Sequence, residues 1–213
     1  MGTDASAGRD PPRLEVRPPM AGWSPMTTSS SAPTRYVAFL RGINVGGRVK
    51  VGMADLRAML AGLGYHDVAT LLQSGNAVLT ADAKPDEVAA VVEKRLHADT
   101  GLNVRCVVRT TSELQTALAR DPYEGRANDP ARYVIAFMDK VPAKANVASI
   151  DPAAFEPDEF RIIGREAYIW CPGGLRDTKL TAPNIEKKLG VVATARNWNT
   201  CQKVLALMER GAA

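Results

Sequence analysis

The sequence of 213 residues has little of what membrane-spanning and metal-binding proteins need. Its apolar stretches, such as Tyr36–Leu40 and Val88–Val92, are far shorter than the roughly 20 residues that cross a bilayer, so we expect no membrane segment. It contains only two histidines, His66 and His97, and neither has a cysteine or histidine partner at ligand spacing. We therefore expect no metal site and no cofactor.

Cysteine is scarce, and the excess of charge of either sign is small. The three cysteines, Cys106, Cys171 and Cys201, form no CxxC pair, so the sequence lacks the signature of a zinc site or a redox motif. This usage suits a reducing compartment, and we expect the protein in the cytoplasm. The net charge of +4 and the pI of about 9.0 are explained better by a solvated surface than by an anionic partner.

Large aliphatic side chains are nearly absent from residues 1–33. This segment is rich in proline, glycine and serine instead, which is typical of disordered chains. It also lacks the continuous apolar run of about 7 to 15 residues that a secretory signal needs. We therefore predict a disordered leader that carries no chemistry.

The sequence after the leader alternates between strand-like and helix-like periods. The segment "RYVAFLRG" favours a strand, because aromatic and β-branched residues suit the extended conformation. Met53, Leu56 and Leu60 lie on one apolar helical stripe. The chain then continues with a hairpin that turns at residues 74–76, a second helix, a further strand and a short connecting helix. The pattern predicts a β-α-β-β-α-β lobe over residues 34–121.

The second half repeats this order. "RYVIAFM" echoes "RYVAFL" with one residue inserted, and the later segments predict the same succession of elements over residues 130–210. These include a helix over residues 147–155 and a short strand at residues 191–193. A final helix has Trp198 and Cys201 on its apolar stripe, so Arg196 and Asn199 are expected on its solvent-facing side. The predicted fold class is α+β, with two ferredoxin-like βαββαβ lobes in tandem. Each lobe is an antiparallel sheet with helices packed on one face, and a C-terminal helix follows.

The stretch "RGINVGGRVK" at residues 41–50 has the glycine spacing of a phosphate-binding P-loop. It lacks the required side chains, because Arg48 replaces the lysine and Val49 replaces the magnesium-binding hydroxyl, so we expect no nucleotide hydrolysis by this loop. The backbone N–H groups of such a loop, together with Arg41 and Lys50, still suit an anion. A tight structural turn explains the glycines equally well.

Two further motifs, QSGN and RNWNT, carry more polar groups than their local structure requires. Ser74 lies in a turn between two strands, whereas a nucleophile elbow joins a strand to a helix, so we do not expect Ser74 to be a nucleophile. In RNWNT one asparagine can cap the final helix. Capping does not require the arginine or the second asparagine.

The strings "YVAFLRGINVGGRVKVGMADLRAMLAGLGYHDVATLLQSGNAVL" and "TARNWNTCQKVLAL" resemble the domain of unknown function 1697 family, over about residues 35–208. The resemblance implies two ferredoxin-like lobes in one chain and no established activity. The chain departs from the family pattern at Gly52, where proline is common, and at Cys201, where valine is common. Asp177 adds a negative charge to "GLRDTKLT", which weakens the case for anion binding at that segment.

We predict that these motifs converge on one cleft that binds an anionic small molecule or a nucleotide. Convergence would explain why four segments distant in sequence are all rich in glycine, asparagine and cations. An enzyme that uses the same cleft and a nucleic-acid-binding protein remain alternatives, although the sequence offers no obvious acid-base pair and no RNP1-like string. The oligomeric state and any catalytic residue are left open. The predicted ligand-binding residues are Arg41, Asn44, Gly46, Gly47, Arg48, Lys50, Ser74, Asn76, Lys179, Arg196, Asn197 and Asn199.

Overall fold

The computed structural model describes residues 33–44 and 50–210, and these ranges contain two four-stranded antiparallel sheets and six α-helices. The architecture is α+β, as the sequence predicts. The predicted leader, residues 1–33, lies outside the described residues except for Pro33. No helix within the described ranges is long and apolar enough to cross a membrane.

The first half of the chain forms one sheet with helices between its strands. Its elements are β1 (Thr34–Leu40), α1 (Met53–Gly62), β2 (His66–Leu71), β3 (Asn76–Ala81), α2 (Pro85–Thr100), β4 (Cys106–Thr110) and α3 (Thr111–Ala119). The strand order is β2-β3-β1-β4, and every neighbouring pair is antiparallel. The predicted hairpin is confirmed, because β2 and β3 pair across the QSGN turn.

The second half forms another sheet with the corresponding order, β6-β7-β5-β8. Its elements are β5 (Tyr133–Met138), α4 (Lys144–Ala148), a 3-10 helix (Pro152–Phe155), β6 (Glu159–Ile163), β7 (Glu166–Trp170), α5 (Ala182–Leu189), β8 (Ala193–Asn197) and α6 (Trp198–Glu209). A single helix was expected over residues 147–155. The chain instead begins a new turn at Pro152, because proline cannot supply the N–H that would continue the preceding helix.

Strand β1 is buried on both of its faces. Tyr36, Ala38 and Leu40 pack with the apolar stripes of α1 and α2, while Val37 and Phe39 point to the opposite side of the sheet. A strand covered on both sides needs apolar residues at every position, which explains the uninterrupted run in "YVAFL".

The two sheets face each other and share one central apolar layer. Phe39 of the first sheet and Phe137 of the second stack with ring centroids 4.7 Å apart, and both side chains are fully buried. The helices α3 and α6 pack against each other and supply Leu114 and Val204 to this layer. The connecting helix and the C-terminal helix therefore belong to the contact between the two halves as much as to either half.

We expect Phe137→Ala to lower the free energy of unfolding by about 3 to 5 kcal/mol, because it removes a buried ring from a stacked pair and leaves a cavity. Urea denaturation followed by circular dichroism measures this change. The control is Val141→Ala, whose side chain is 64% exposed and whose effect should stay within about 0.5 kcal/mol. Equal stability of the two variants would contradict the central layer.

Candidate functional site

Asn44 closes the RGIN segment onto its neighbours. Its side-chain amide donates to the carbonyls of Val51 (2.9 Å) and Gln73 (2.7 Å), and its oxygen accepts the Val51 N–H (2.9 Å). The residue adopts a φ of +55°, which asparagine tolerates better than most side chains. These hydrogen bonds join the segment after β1 to Val51, just before α1, and to the QSGN turn.

The QSGN turn is fixed from inside by Asn76, which is fully buried. Its side-chain amide donates to the carbonyl of Leu71 (2.8 Å) and to the hydroxyl of Ser74 (3.0 Å). The neighbouring Gly75 has a φ of +76°, and a Cβ at this position would lie 2.7 Å from a carbon of Ile43. Only glycine therefore lets the RGIN and QSGN segments approach this closely.

Arg196 inserts its guanidinium group between these segments. Its Nε donates to Asn76 Oδ1 (2.5 Å), and its Nη2 donates to the carbonyls of Leu40 (2.9 Å) and Ser74 (2.8 Å). Its Nη1 bonds the hydroxyl of Thr194 and its own strand, so both terminal nitrogens and Nε are engaged. The guanidinium carbon also lies 5.4 Å from the centre of the Phe39 ring.

The position of Arg196 corrects the expectation from the sequence. It was expected on the solvent-facing side of the final helix, but it lies in β8 and is only 9% exposed. The helix begins after Asn197, whose side-chain oxygen accepts the N–H of Thr200 (3.0 Å) and caps it. The strand predicted at residues 191–193 instead begins at Ala193 and ends at this asparagine.

The charge of Arg196 has no carboxylate partner among the residues that the structure describes. Burial lowers the pKa of its guanidinium to about 10, so the side chain is still protonated at neutral pH. A buried cation is ordinarily paired, and the site therefore retains an uncompensated positive charge.

A second buried arginine, Arg109 of β4, makes the corresponding contacts in the other half. Its Nε donates to Glu166 Oε1 (3.0 Å), its Nη2 donates to the carbonyl of Met138 (2.7 Å), and its guanidinium lies 5.6 Å from the Phe137 ring. We call these arrangements the Arg196 clasp and the Arg109 clasp. In each, an arginine from the last strand of one sheet holds the hairpin of the other sheet.

The two clasps occupy equivalent positions in the strand register. Asn76 lies opposite Phe39 in the β1–β3 pairing, and Glu166 lies opposite Phe137 in the β5–β7 pairing. The clasps differ in the acceptor, which is a neutral amide for Arg196 and a carboxylate for Arg109. Sequence reasoning missed Arg109 and Glu166, although a charged residue inside the apolar strand "RCVVR" is a signal that could have revealed the first of them.

The other predicted cations occupy different surroundings. Arg41 forms an ion pair with Glu186 of α5 (2.5 Å), while its Nε is buried without a hydrogen-bond partner. Lys50 is exposed. Lys179 is also exposed, and it lines two depressions of the second half that share no other predicted site residue within the described ranges. Asn199 is half-buried, and its N–H lies 3.5 Å from the carbonyl of Pro130.

Three predicted residues, Gly46, Gly47 and Arg48, lie outside the described residues. The structure thus brings together Asn44, Ser74 and Asn76 with Arg196, and it leaves Lys179 elsewhere. Within residues 33–44 and 50–210, no group of three or more histidine, cysteine or acidic side chains is arranged to hold a metal ion.

Comparisons with known proteins give a family match and a structural neighbour. A family model described as "Protein of unknown function (DUF1697)" matches residues 34–168. The fold is similar to that of the conserved bacterial protein SP0830 from Streptococcus pneumoniae, with a TM-score of 0.64 and 23% sequence identity over 83% of this chain and 99% of that chain. No curated protein matches the sequence significantly.

We expect Arg196→Ala to lower the free energy of unfolding by at least about 3 kcal/mol, because several buried acceptors would lose their donor at once. Urea denaturation measures the change. The matched control is Arg57→Ala, which removes an exposed arginine with one hydrogen bond, to Thr70, and should change the stability by about 0.5 kcal/mol or less. Equal losses for the two variants would show that the Arg196 clasp contributes no stability.

Proposed function

Since the chain belongs to the DUF1697 family of proteins of unknown function, we propose a function from its own geometry: it binds an anionic small molecule or a nucleotide where the RGINVGG, QSGN and RNWNT motifs meet. The ligand is held at the surface above the Arg196 clasp. It contacts Arg41, Lys50 and the backbone N–H groups that the sequence predicts at Gly46, Gly47 and Arg48.

The observation that carries this proposal is the missing carboxylate of the Arg196 clasp. The equivalent Arg109 is neutralised by Glu166, so the fold can accommodate a counter-ion at this register position. At the Arg196 clasp an amide stands there instead, and the cation remains unbalanced in a medium of low dielectric constant. Its donors are engaged by protein acceptors. Arg196 therefore attracts an anion through its field and not through a direct hydrogen bond.

Direct contacts fall to the side chains that border the clasp. The Nε of Arg41 is buried and has no acceptor, so a ligand oxygen at this point would satisfy it. Lys50 is exposed and directly precedes Val51, which bonds Asn44. We leave Lys179 out of the proposed site, because it lines different depressions, and we assign Asn197 to helix capping.

We further propose that residues 34–121 and 130–210 are two ferredoxin-like lobes that arose by duplication. The corresponding strand orders and the register-equivalent clasps support this proposal. We also place the protein in the cytoplasm, since Cys106, Cys171 and Cys201 are all buried free thiols.

We expect Lys50→Gln to weaken the binding of pyrophosphate by about tenfold, because one charge-assisted contact is lost while folding is unaffected. Isothermal titration calorimetry with pyrophosphate, and separately with ATP, measures the affinity. Lys179→Gln is the matched control, since it removes an exposed lysine outside the proposed site. Equal weakening by both substitutions, or no binding of either probe to the unaltered chain, would refute the proposed site.

Asn76→Asp tests the missing carboxylate directly. The new carboxylate can keep the Arg196 contact through Oδ1 and neutralise the buried charge, but its second oxygen loses the hydrogen bond to the Leu71 carbonyl. We therefore expect pyrophosphate affinity to fall by about tenfold, while thermal melting shows a folded protein with a lower melting temperature. Gln202→Glu, which adds one negative charge at an exposed position of α6, is the control and should leave pyrophosphate affinity unchanged. Undiminished binding by a folded Asn76→Asp variant would mean that the charge of Arg196 does not contribute.

A further inference from the structure

A polar cavity of about 290 Å³ lies beside β4, where the two halves of the chain meet. The first half contributes Asp86 and Glu93 from α2 and Arg105, which directly precedes β4. The second half contributes Asp139, directly after β5, and Arg165, from the turn between β6 and β7. The cavity is thus lined by carboxylates and guanidinium groups. Its volume is at the lower end of the roughly 300 to 1,000 Å³ of small-molecule sites, which favours a small ligand.

The floor of this cavity is the free edge of the first sheet, because β4 is an outer strand. The Arg41 N–H donates to the Arg105 carbonyl (2.8 Å). This bond shows which residues of β4 direct their main-chain groups toward β1 in the β1–β4 register. In an antiparallel pair the main-chain groups of alternate residues point to the partner strand and away from it. Those of Cys106 and Val108 therefore point away from β1, and both residues line the cavity.

Two of these four outward groups have protein partners. Glu93 Oε1 accepts the Cys106 N–H (2.8 Å), and Arg109 Nη1 donates to the Val108 carbonyl (2.9 Å). The Cys106 carbonyl and the Val108 N–H have no partner in the part of the chain that the structure describes. One acceptor and one donor, two residues apart on one edge, are therefore left for a ligand.

This pair of groups matches the main chain of one amino acid. In a parallel ladder, a single residue donates its N–H to one such carbonyl and accepts the second N–H at its own carbonyl oxygen. A free α-amino acid presents its ammonium and carboxylate groups at the same two places. Charged groups of both signs lie at both ends of this pair. Glu93 pairs with Arg105 (3.0 Å) at the Cys106 end, and Arg165 and Asp139, which follows Met138, lie beside Arg109 at the other end. The main-chain donor and acceptor therefore set the orientation of the ligand.

We propose that this cavity binds a free α-amino acid with a small side chain. The ammonium group donates to the Cys106 carbonyl and faces the carboxylates that line the cavity. The ligand carboxylate accepts the Val108 N–H and faces Arg165, one of whose terminal nitrogens already pairs with Glu113. The site is separate from the proposed anion site and does not depend on it.

The proposed anion site and the proposed amino-acid site differ in the charge of one equivalent residue. Arg41 follows β1, and Asp139 follows β5, and each donates its N–H to the residue directly before the last strand of its own sheet. The two residues thus occupy equivalent places with opposite charges. A cation at this place suits an anion, whereas the aspartate beside arginines suits a ligand that carries both signs.

The test uses the full ¹⁵N-labelled chain and titration with glycine and L-alanine, monitored by amide NMR. We expect a saturable shift of the Val108 amide and smaller shifts at neighbouring residues of β4. Acetate and methylammonium chloride, each of which carries half of the recognition elements, should bind at least about tenfold more weakly, because each loses one charged contact. Absence of a saturable shift in β4, or equal affinity for acetate, would overturn the proposal.

Two substitutions locate the charges. Asp139→Asn keeps the oxygen that accepts the Val192 N–H and removes the charge, and Arg165→Gln removes the opposite charge. Each should weaken L-alanine binding by about tenfold. Asp177→Asn, an exposed carboxylate that does not line this cavity, is the control and should bind as the unaltered chain does. If both cavity variants bind L-alanine with unchanged affinity, the amino acid does not bind in this cavity.

Discussion

The structure depends on the burial of two guanidinium groups at the contact between its two sheets. Each arginine side chain extends from the last strand of its own sheet to the other sheet. There it donates to the carbonyl at the end of the central strand, which is Met138 for Arg109 and Leu40 for Arg196. Phe39 and Phe137 stack between the clasps, so the aromatic contact and the two polar contacts form one unit. Such an arrangement fixes the relative position of the sheets, because a buried guanidinium must find all its acceptors at once.

The clasps also explain why the RGIN and QSGN segments need glycine and asparagine at particular positions. Glycine at position 75 gives access to the carbonyls, asparagine at position 76 supplies the acceptor, and asparagine at position 44 holds the neighbouring loop in place. Much of the polar content that suggests ligand binding is therefore used for the internal structure. What remains for a ligand is the charge that this structure does not neutralise, together with the border cations.

The sequence predicts the strands, the hairpin and most of the helices, because their apolar periods and turn residues act locally. It does not predict the surroundings of Arg196, since the start of α6 is decided by which of two asparagines caps the helix. Arg109 escapes sequence reasoning for another reason. Alternation along a strand shows which side a residue faces, but not that a second sheet covers that side. Contacts between distant segments decide both cases.

The Arg196 clasp joins residues 120 positions apart, and its arginine lies in β8, the last of the strands that the structure describes. During synthesis on the ribosome, the QSGN hairpin emerges long before the guanidinium that satisfies its carbonyls. The first sheet must therefore wait, with those groups in contact with water, until β8 has left the exit tunnel. The Arg109 clasp has the reverse order, because its arginine emerges first and finds Glu166 only 57 residues later. A nascent chain that stops before residue 193 therefore contains every residue of the Arg109 clasp but lacks the arginine of the Arg196 clasp.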